Sequence, residues 1–475
     1  MMRWLGGAAL VGVGALLAVR FQSGASRQPD VVLILADTLR RDALGVYGAR
    51  AEASPAIDAY AAQGVTFSDC TAQCSWTRPS MVSLLQGVYL PQYRDRPLPE
   101  RRLIAEELGA SGYRTIGSVA NPLVGAELGF ARGFDVFHMS TDPPPVPGEV
   151  PLGGSWHMAW DAVEQSISQA GAQPVFLYLH LMEPHAPYEW TPRLADTLPA
   201  VPFEPTVQLA RALERSGIQQ SVDGASLERI TADRAAYAHD VRRLDEGVNA
   251  IVERFKELRP DRDVAFLIAS DHGEALYDCL APQRPPEGAP LDQVLYRDHG
   301  QILAEPLIRT PLVLFGDRIP RGVRVEGPVE NVDVFPTLLH LAGAEVPPGL
   351  SGRSLLPLVP GMEGRRFAFS SVLHERSVRD LETNLKLILP TSIGLAAGRA
   401  PFLSDWSADP GGFEALDSSD PQGRQALEAE LRQWARRHAV ETSLPLVNSA
   451  ALEALGYAGP EGQPLESVRK PAGGD

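Results

Sequence analysis

Three short stretches of the sequence carry residue types that could hold a cation and attack an ester. Asp37 ends one apolar run, and Asp271 and His272 follow directly after a second. Two carboxylates and an imidazole at the ends of buried strands predict a site for a divalent cation. Thr77 stands two residues before Pro79, and a hydroxyl at the start of a helix is a candidate nucleophile for that cation to activate. The chemistry indicated is cleavage or transfer of a tetrahedral anion.

Four further side chains could contact the transferred group. His185 is flanked by two prolines, and His299 precedes a glycine. Either imidazole could donate to the transferred group or protonate the leaving oxygen. Arg40 and Arg78 could each present a guanidinium fork to an anionic oxygen. We therefore predict that these four residues lie near the substrate.

Most of these residues also have a structural interpretation. Asp37 could cap the helix that follows it, and Thr77 could do the same because Thr-x-Pro-Ser is a good helix start. Loop arginines usually pair with surface carboxylates. We interpret His180 as structural, and we expect Glu274 to orient His272 rather than to bind the metal. The sequence leaves both interpretations of the loop arginines open.

The apolar pattern predicts which elements position these residues. Apolar runs typical of strands alternate with helical stretches between residue 29 and about residue 360. The runs lie at residues 31–36, 115–120, 175–180, 264–269 and 311–315, and the clearest helix lies at residues 228–258. This alternation predicts an α/β fold whose doubly wound, mostly parallel sheet carries helices on both faces. Ligands of such sheets bind beyond the carboxyl ends of the strands, where Asp37 and Asp271 fall.

The pattern changes after residue 360. Two strand-like runs, at residues 366–373 and 385–389, and a closing helix at residues 423–439 predict a small α+β subdomain with an antiparallel sheet. A chain of 475 residues suits one large α/β domain and a smaller one. The predicted divisions are a large catalytic domain, a C-terminal subdomain and a disordered tail, at residues 29–360, 361–460 and 461–475.

The first 28 residues predict a targeting segment. An uncharged run at residues 4–19 lies between Arg3 and Arg20, and small residues precede Ser26. The run fits the apolar core of a secretory signal with cleavage before Ser26, and an uncleaved membrane anchor stays open as the alternative. Both versions predict an exported protein, either periplasmic or extracellular or anchored facing outward.

Charge and cysteine content exclude two further classes of protein. A net charge of −16 argues against a partner made of nucleic acid, which requires a basic surface. An anionic substrate is not excluded, because a metal and a few cations reverse the field inside one cleft.

Three cysteines do not make a disulfide framework. Cys70 and Cys74 are close enough to pair, leaving Cys279 free, and three buried thiols are the alternative.

The sequence resembles the sulfatase family of the alkaline phosphatase superfamily from about residue 29 to residue 459. Motifs appear in the family's order, at residues 29–40, 77–80, 183–188, 270–274 and 299–300. The resemblance implies an alkaline-phosphatase-like fold and one divalent cation (Mn²⁺, Mg²⁺, Ca²⁺ or Zn²⁺). By analogy the cation ligands are Asp37, Thr77, Asp271 and His272. An anionic ester substrate is also implied, namely a sulfated or phosphorylated glycan, lipid or small molecule.

The chain departs from the family's pattern at the nucleophile. Family sulfatases begin that motif with a cysteine or serine that is oxidised to formylglycine, whereas Thr77 is not a formylglycine precursor. The arginine that follows the motif is Met81 here, and Cys74 lies three residues early. A Gly-Lys-Trp-His stretch of the family has no counterpart; the corresponding region ends at Asn121, which we predict to contact substrate. These features resemble relatives that use threonine on phosphorus, such as phosphoethanolamine and lipoteichoic-acid transferases.

The sequence therefore predicts a metal-dependent hydrolase of sulfate or phosphate esters with Thr77 as nucleophile. One alternative is a transferase that moves a phospho-alcohol headgroup onto an envelope lipid or polymer, which an uncleaved anchor would favour. The other is an inactive family member that binds anionic glycans. Loss of the family's arginine at Met81 is compatible with inactivity, whereas the retained metal ligands argue against it.

Overall fold

The computed structural model describes residues 27–140, 155–188, 200–204, 206–216, 224–283, 285–356, 365–416 and 421–439. Residues 1–26 of the predicted targeting segment and the whole predicted tail lie outside these ranges. Within the described ranges, every helix is too short or too polar to cross a membrane.

Strands and helices alternate through the large domain, and strands predominate after it. The strands, numbered in chain order, are β1 (Asp30–Ala36), β2 (Val65–Phe67), β3 (Cys70–Thr71), β4 (Arg114–Val119), β5 (Val136–Met139), β6 (Val175–Leu181), β7 (Val264–Ser270), β8 (Arg309–Thr310), β9 (Leu312–Gly316), β10 (Val323–Val325), β11 (Val329–Glu330), β12 (Phe367–Ser371), β13 (Glu375–Asp380), β14 (Leu385–Pro390) and β15 (Phe402–Asp405). The α-helices are α1 (Pro55–Ala62), α2 (Thr77–Gln86), α3 (Ile104–Ala110), α4 (Ser155–Asp161), α5 (Glu164–Ser168), α6 (Val207–Ser216), α7 (Gly224–Leu258), α8 (Leu291–Val294), α9 (Glu305–Ile308), α10 (Val334–Leu341), α11 (Ser392–Ala396) and α12 (Pro421–Arg437).

An eight-stranded sheet forms the centre of the large domain, in the order β10-β2-β9-β7-β1-β6-β4-β5. β1 pairs in parallel with both β6 and β7, and β4 pairs in parallel with β5 and β6. β9 runs antiparallel to β7 and to β2. The predicted mostly parallel α/β sheet is confirmed, and the run at residues 311–315 is its antiparallel member. Its apolar sequence could not reveal this direction, because burial on both faces gives parallel and central antiparallel strands similar compositions.

Alternation along β1 explains why helices cover both faces of the sheet. All seven residues of β1 are fully buried. Odd-numbered residues of the strand pack with α2, α3 and α10, and even-numbered residues pack with α7. Because successive side chains of a strand point to opposite faces, a continuous apolar strand requires a cover on each. The doubly wound arrangement follows from this requirement.

The C-terminal sheet consists of β12, β13, β14 and β15, paired antiparallel in that order. The predicted antiparallel subdomain sheet is confirmed, but the sequence missed β13 and β15. β13 reads Glu-Arg-Ser-Val-Arg-Asp and is nonetheless largely buried, since Arg379 is paired with Asp69 and Glu375 with Arg399. α12 covers the sheet through Leu427, Leu431 and Trp434, and the Trp434 ring stacks on Phe369 at 5.0 Å between centroids.

The three cysteines are buried and free. The disulfide between Cys70 and Cys74 is therefore wrong, and the alternative of buried thiols holds. Cys70 contacts the side-chain oxygen of Asn331 at 3.3 Å, and Cys74 packs in an apolar cluster with Cys279. Burial raises the pKa of the Cys74 thiol to about 12, so that this sulfur is protonated and a poor nucleophile near neutral pH.

A buried ion cluster anchors the end of β1 remote from the candidate site. Asp30 is fully buried, and its carboxylate accepts from Arg259 at 2.9 Å and from Arg262 at 3.2 Å. It also accepts the backbone N–H of Val175 at 2.9 Å. One carboxylate thus joins β1, β6 and the end of α7.

We predict that Asp30→Ala lowers the free energy of unfolding by about 3–5 kcal/mol, because two guanidinium groups lose their buried anion. Urea unfolding followed by circular dichroism measures the change. Glu428→Ala is the control, since Glu428 pairs with Arg432 on the surface of α12 and should cost about 0.5 kcal/mol or less. Equal effects of the two substitutions would contradict the prediction.

Candidate active site

Two adjacent strands deliver the predicted metal ligands to one point. Asp37 follows β1 directly, and Asp271 and His272 follow β7. Because β1 and β7 pair in parallel, with Ala36 opposite Ser270, their carboxyl ends coincide. The ligand atoms of Asp37, Asp271 and His272 all lie within 4.8 Å of one another, and all three side chains are fully buried. The sheet therefore assembles a compact group able to hold a metal ion.

Thr77 is the first residue of α2 and is fully buried beside this group. Its Oγ1 lies 3.3 Å from Nε2 of His272. One turn along the helix, the Ser80 hydroxyl donates to the carbonyl oxygen of Asp271 at 2.6 Å. This bond ties the start of α2 to the loop after β7, so the hydroxyl of Thr77 is held against the ligand group.

The hydrogen bonds of His272 indicate which ring nitrogen can bind a metal. Nδ1 lies 2.9 Å from the carbonyl oxygen of Gly273, which can only accept, so Nδ1 carries the proton. Nε2 then has an unshared lone pair and lies 3.3 Å from Oδ2 of Asp271. Burial lowers the pKa of His272 and outweighs the opposing charge of Asp271, which favours the neutral ring. His272 therefore offers Nε2 as a ligand atom.

One oxygen of Asp37 is held by two side chains. Oδ2 accepts from Nδ2 of Asn121 at 2.5 Å and lies 3.0 Å from Nε2 of His180. Nδ1 of His180 lies in turn 2.9 Å from the Tyr178 hydroxyl. Asn121 is thus placed against the carboxylate, and its contact with substrate stays a prediction. The structural interpretation of His180 agrees with this placement, since its ring holds the Asp37 carboxylate.

The remaining carboxylate oxygens fit a cation. Oδ1 of Asp271 accepts the backbone N–H groups of Thr38 at 3.1 Å and His272 at 2.8 Å. Oδ1 of Asp37 and Oδ2 of Asp271 are buried and have no hydrogen-bond partner among the residues that the structure describes. A buried carboxylate oxygen is costly unless it is compensated, and a divalent cation bound by both would compensate them. The oxygen and nitrogen donors present suit such an ion.

The two carboxylates differ in acidity. Burial raises the pKa of Asp271, and the neighbouring charge of Asp37 raises it further. Burial also acts to raise the pKa of Asp37, but the hydrogen bond with His180 and the charges of nearby histidines hold it below the usual range. Asp37 is the more acidic member of the pair, and a cation bound between them would favour the ionised form of both.

His299 brings a positive charge to the same place. Its ring centroid lies 4.6 Å from that of His272 and 5.3 Å from that of His185. Nδ1 lies 3.2 Å from each carboxylate oxygen of Glu274. Burial lowers the pKa of His299, but the charges of Glu274 and Asp298 outweigh it and raise the pKa to about 10. His299 is therefore an imidazolium near neutral pH, with His185 beside it.

Glu274 has a different partner from the one expected. Its carboxylate bonds His299, and it also accepts from the Tyr188 hydroxyl at 3.1 Å. No bond between Glu274 and His272 is seen among the described residues. The prediction that Glu274 orients His272 is wrong, because His299, which lies 25 residues later in the sequence, occupies the position that faces the carboxylate.

Both predicted substrate arginines have carboxylate partners. Arg40 bonds Asp42 at 2.7 Å and Asp278 at 2.6 Å. Arg78 pairs with Asp95 at 3.2 Å, and both of these side chains are buried. Substrate binding by either arginine stays a prediction, since each guanidinium would have to share its charge with an acidic partner.

Sequence reasoning missed two residues that fix the loop after β7. The hydroxyl of Ser270 accepts the N–H of Leu39 at 3.0 Å and donates to the carbonyl of His272 at 2.6 Å. Nδ2 of Asn331 donates to the carbonyl of Ser270 at 2.8 Å. Ser270 adjoins the recognised motif and could have been found from it. Asn331 lies 61 residues away in the sequence and carries no local signal.

A cavity of about 610 Å³ is lined in part by Arg40 and Asp42, in the loop after β1. Arg40 and Arg234 line it together with the rings of Phe203 and Phe413, whereas none of the four predicted ligands does. Arg40 and Pro306 connect it to the candidate site, since Arg40 follows β1 by four residues and the carbonyl of Pro306 packs against Gly273, which follows His272. The ligands themselves are enclosed rather than spread over an open cleft.

Comparison with known proteins shows the family of this chain. The sulfatase family profile matches residues 29–344, more than half of the chain. Iduronate 2-sulfatase of Mus musculus is 26% identical over 396 residues, which cover 67% of this chain and 69% of that protein. The choline-sulfatase of Rhizobium meliloti (strain 1021) is 28% identical over 40% of this chain and 36% of its own length.

Solved structures share the fold. The crystal structure of the phosphonate monoester hydrolase of Agrobacterium radiobacter superposes with a TM-score of 0.66 at 18% identity, covering 86% of this chain and 96% of that one. The large mixed sheet and the separate C-terminal sheet are those of an alkaline-phosphatase-like protein. The chain belongs to the sulfatase family and is a hydrolase of the class that acts on sulfate or phosphate esters.

Proposed function

We propose that this hydrolase cleaves an anionic ester by attack of Thr77 on the tetrahedral centre. The supporting observation is the position of Oγ1 of Thr77, 3.3 Å from Nε2 of His272 and beside two carboxylates that each keep one oxygen unpaired among the described residues. Asp37, Thr77, Asp271 and His272 would hold one divalent cation. When bound, such a cation would lower the pKa of a neighbouring hydroxyl and neutralise negative charge on the reacting group.

The start of α2 suits an anionic group beside Thr77. Pro79 has no N–H, and the N–H of Ser80 bonds the carbonyl of Trp76 at 3.2 Å. The N–H groups of Thr77 and Arg78 have no carbonyl partner within the helix, as is general for the first turn. Such groups, with the helix dipole, favour anionic oxygens. We infer that they contact the non-bridging oxygens of the ester while Oγ1 attacks.

His299 is the proposed proton donor to the leaving oxygen. Before the first step Oγ1 of Thr77 gives up its proton to solvent, a loss that a bound cation would favour. In the first step a bond forms between the Thr77 alkoxide oxygen and the central atom, the ester bond to the alcohol breaks, and the His299 proton passes to the departing oxygen. In the second step water attacks the central atom, the bond to Oγ1 breaks and leaves the Thr77 alkoxide, and a proton of the attacking water returns to the His299 ring. The Glu274 carboxylate stabilises the imidazolium in both steps, and His185 lies close enough to assist.

The nucleophile also bears on the element that is attacked. A formylglycine hydrate can release sulfate by breaking its own carbon–oxygen bond, whereas a threonine ester needs water to attack the central atom. That requirement favours phosphorus as the element attacked. The choice depends on Thr77 being the nucleophile, and Cys74 cannot replace it because the Cys74 thiol is buried and protonated.

Export and an anionic glycan, lipid or small-molecule ester as substrate are further parts of the proposal. The cation ligands are assembled rather than lost, which speaks against an inactive binding protein.

We predict that Thr77→Ala lowers kcat by about 10³-fold or more, the scale on which removal of a nucleophile acts. Thr77→Ser keeps the hydroxyl and should retain a substantial fraction of the activity. The measurement is turnover of matched nitrophenyl sulfate, phosphate monoester and phosphodiester by metal-loaded protein. Turnover that survives in Thr77→Ala would refute the nucleophile.

We further predict that Asp271→Asn abolishes stoichiometric metal binding. Mutating a residue that only hydrogen-bonds a metal ligand lowers metal affinity by roughly 10–100-fold, and loss of a ligand itself should lower it further. The bound metal is measured by mass spectrometry of the dialysed protein, and a chelator should lower Tm only where metal binds. Asp317→Asn is the control, since Asp317 is exposed and accepts from Val264 at the other end of β7. Equal metal content in both variants would contradict the assignment.

A further inference from the structure

The segment of residues 299–308, here called the His299 segment, leads from the candidate site to the C-terminal sheet. It begins with His299, whose ring lies beside those of His272 and His185, and ends with α9. Only the first residue of the segment belongs to the site as described so far. The other residues decide where His299 can lie.

Two glycine contacts show how closely this segment packs on the nucleophile and on the metal-ligand loop. Gly300 has φ +84°, and a Cβ there would lie 2.2 Å from the ring of Trp76, the residue before Thr77. A Cβ on Gly273, which follows His272, would lie 2.0 Å from the carbonyl oxygen of Pro306. The N–H of Gly273 also donates to the carbonyl of Leu307 at 2.8 Å. A displacement of the segment would therefore move the backbone next to Thr77 and His272.

The C-terminal subdomain holds the backbone of the same segment. Arg399 donates to the carbonyl of Gln301 at 2.9 Å, and Glu375 accepts the N–H of Leu303 at 3.0 Å. Arg399 and Glu375 are themselves paired at 3.0 Å. The ammonium group of Lys386 donates to the carbonyl of Leu303. Three side chains, from β13, β14 and the loop between α11 and β15, thus hold the backbone of Gln301 and Leu303.

Buried charge fixes the beginning of α9. Glu305 pairs with Lys386 at 2.7 Å and with Arg379 at 3.2 Å, and all three side chains are at most 3% exposed. The N–H of Glu305 donates to the carbonyl of Pro410 at 3.0 Å. Buried ion pairs have directional requirements and add less to stability than their number suggests, so positioning is the role that their geometry supports best.

We propose that Glu375, Lys386 and Arg399 are positioning residues for the reaction, through which the C-terminal sheet sets the place of His299 in the site. The three residues contact neither the ligand group nor the nucleophile, and they act through the backbone of residues 301–305. The proposal rests on the proposed function, in which His299 protonates the leaving oxygen. It gives the C-terminal subdomain a part in catalysis beyond covering the large domain.

The test uses full-length, metal-loaded protein and two aryl phosphate monoesters, 4-nitrophenyl and phenyl phosphate. A poor leaving group depends on protonation and a good one does so much less, so a displaced His299 should impair phenyl ester cleavage selectively. We expect Arg399→Met and Lys386→Met to lower kcat/KM for phenyl phosphate by about tenfold or more, a fraction of what a general acid contributes, while nitrophenyl phosphate changes less than about threefold. Arg399→Lys should restore part of the loss.

Arg366→Met is the matched control. Arg366 precedes β12, its side chain is half exposed, and it pairs with Asp380 of the same sheet rather than with the His299 segment. Its loss should leave both esters unaffected. If it reproduces the leaving-group selectivity of Arg399→Met, the effect is general loosening of the subdomain and the proposal is overturned.

A double-mutant cycle separates positioning from stability. In a His299→Ala background, Arg399→Met should have little further effect on phenyl phosphate, because both changes remove the same proton transfer. Independent effects that multiply would overturn the proposal. If His299→Ala spares phenyl phosphate, the proton donor of the proposed function fails. If His299→Ala is selective but Arg399→Met and Lys386→Met slow both esters equally, only the positioning proposal fails.

Discussion

The structure depends on bringing two carboxylates together in a place without solvent. Asp37 and Asp271 repel each other, and each keeps one buried oxygen unpaired among the described residues. Parallel pairing of β1 and β7 makes this approach unavoidable, since both residues directly follow strands that end at the same level. The cost is offset on one side by Asn121, His180 and backbone N–H groups, and a cation would offset it on the other.

Around this pair, the two neighbouring histidines differ in charge. The neutral ring of His272 presents a lone pair toward Thr77, whereas His299 is kept protonated by Glu274. Two imidazoles whose centroids are 4.6 Å apart therefore differ in charge, and in the proposed reaction one would serve as a metal ligand and the other as a proton donor. A chain with a net charge of −16 can attract an anionic ester only through such local charges, because its overall field opposes the approach.

Prediction from the sequence succeeded where a local pattern carried the information. The apolar runs located the central strands, and the long amphipathic helix was found within a few residues of α7 (Gly224–Leu258). β13 escaped because its charged residues are buried through pairing with groups distant in the sequence. Sequence analysis also did not predict the antiparallel direction of β9 or the pairing of Glu274 with His299. Each depends on a contact with residues that are distant in the sequence.

The sequence by itself determined the fold class, the family and the residue types available for chemistry, because these follow from periodicity and from motifs of adjacent residues. Only the tertiary structure decided what those residues contact. It placed Asn121 against Asp37, engaged Arg40 and Arg78 with carboxylates, left the cysteines unpaired and joined the C-terminal sheet to the segment that follows His299. Such contacts connect residues separated by tens or hundreds of positions, and their geometry exists only after the strands have paired.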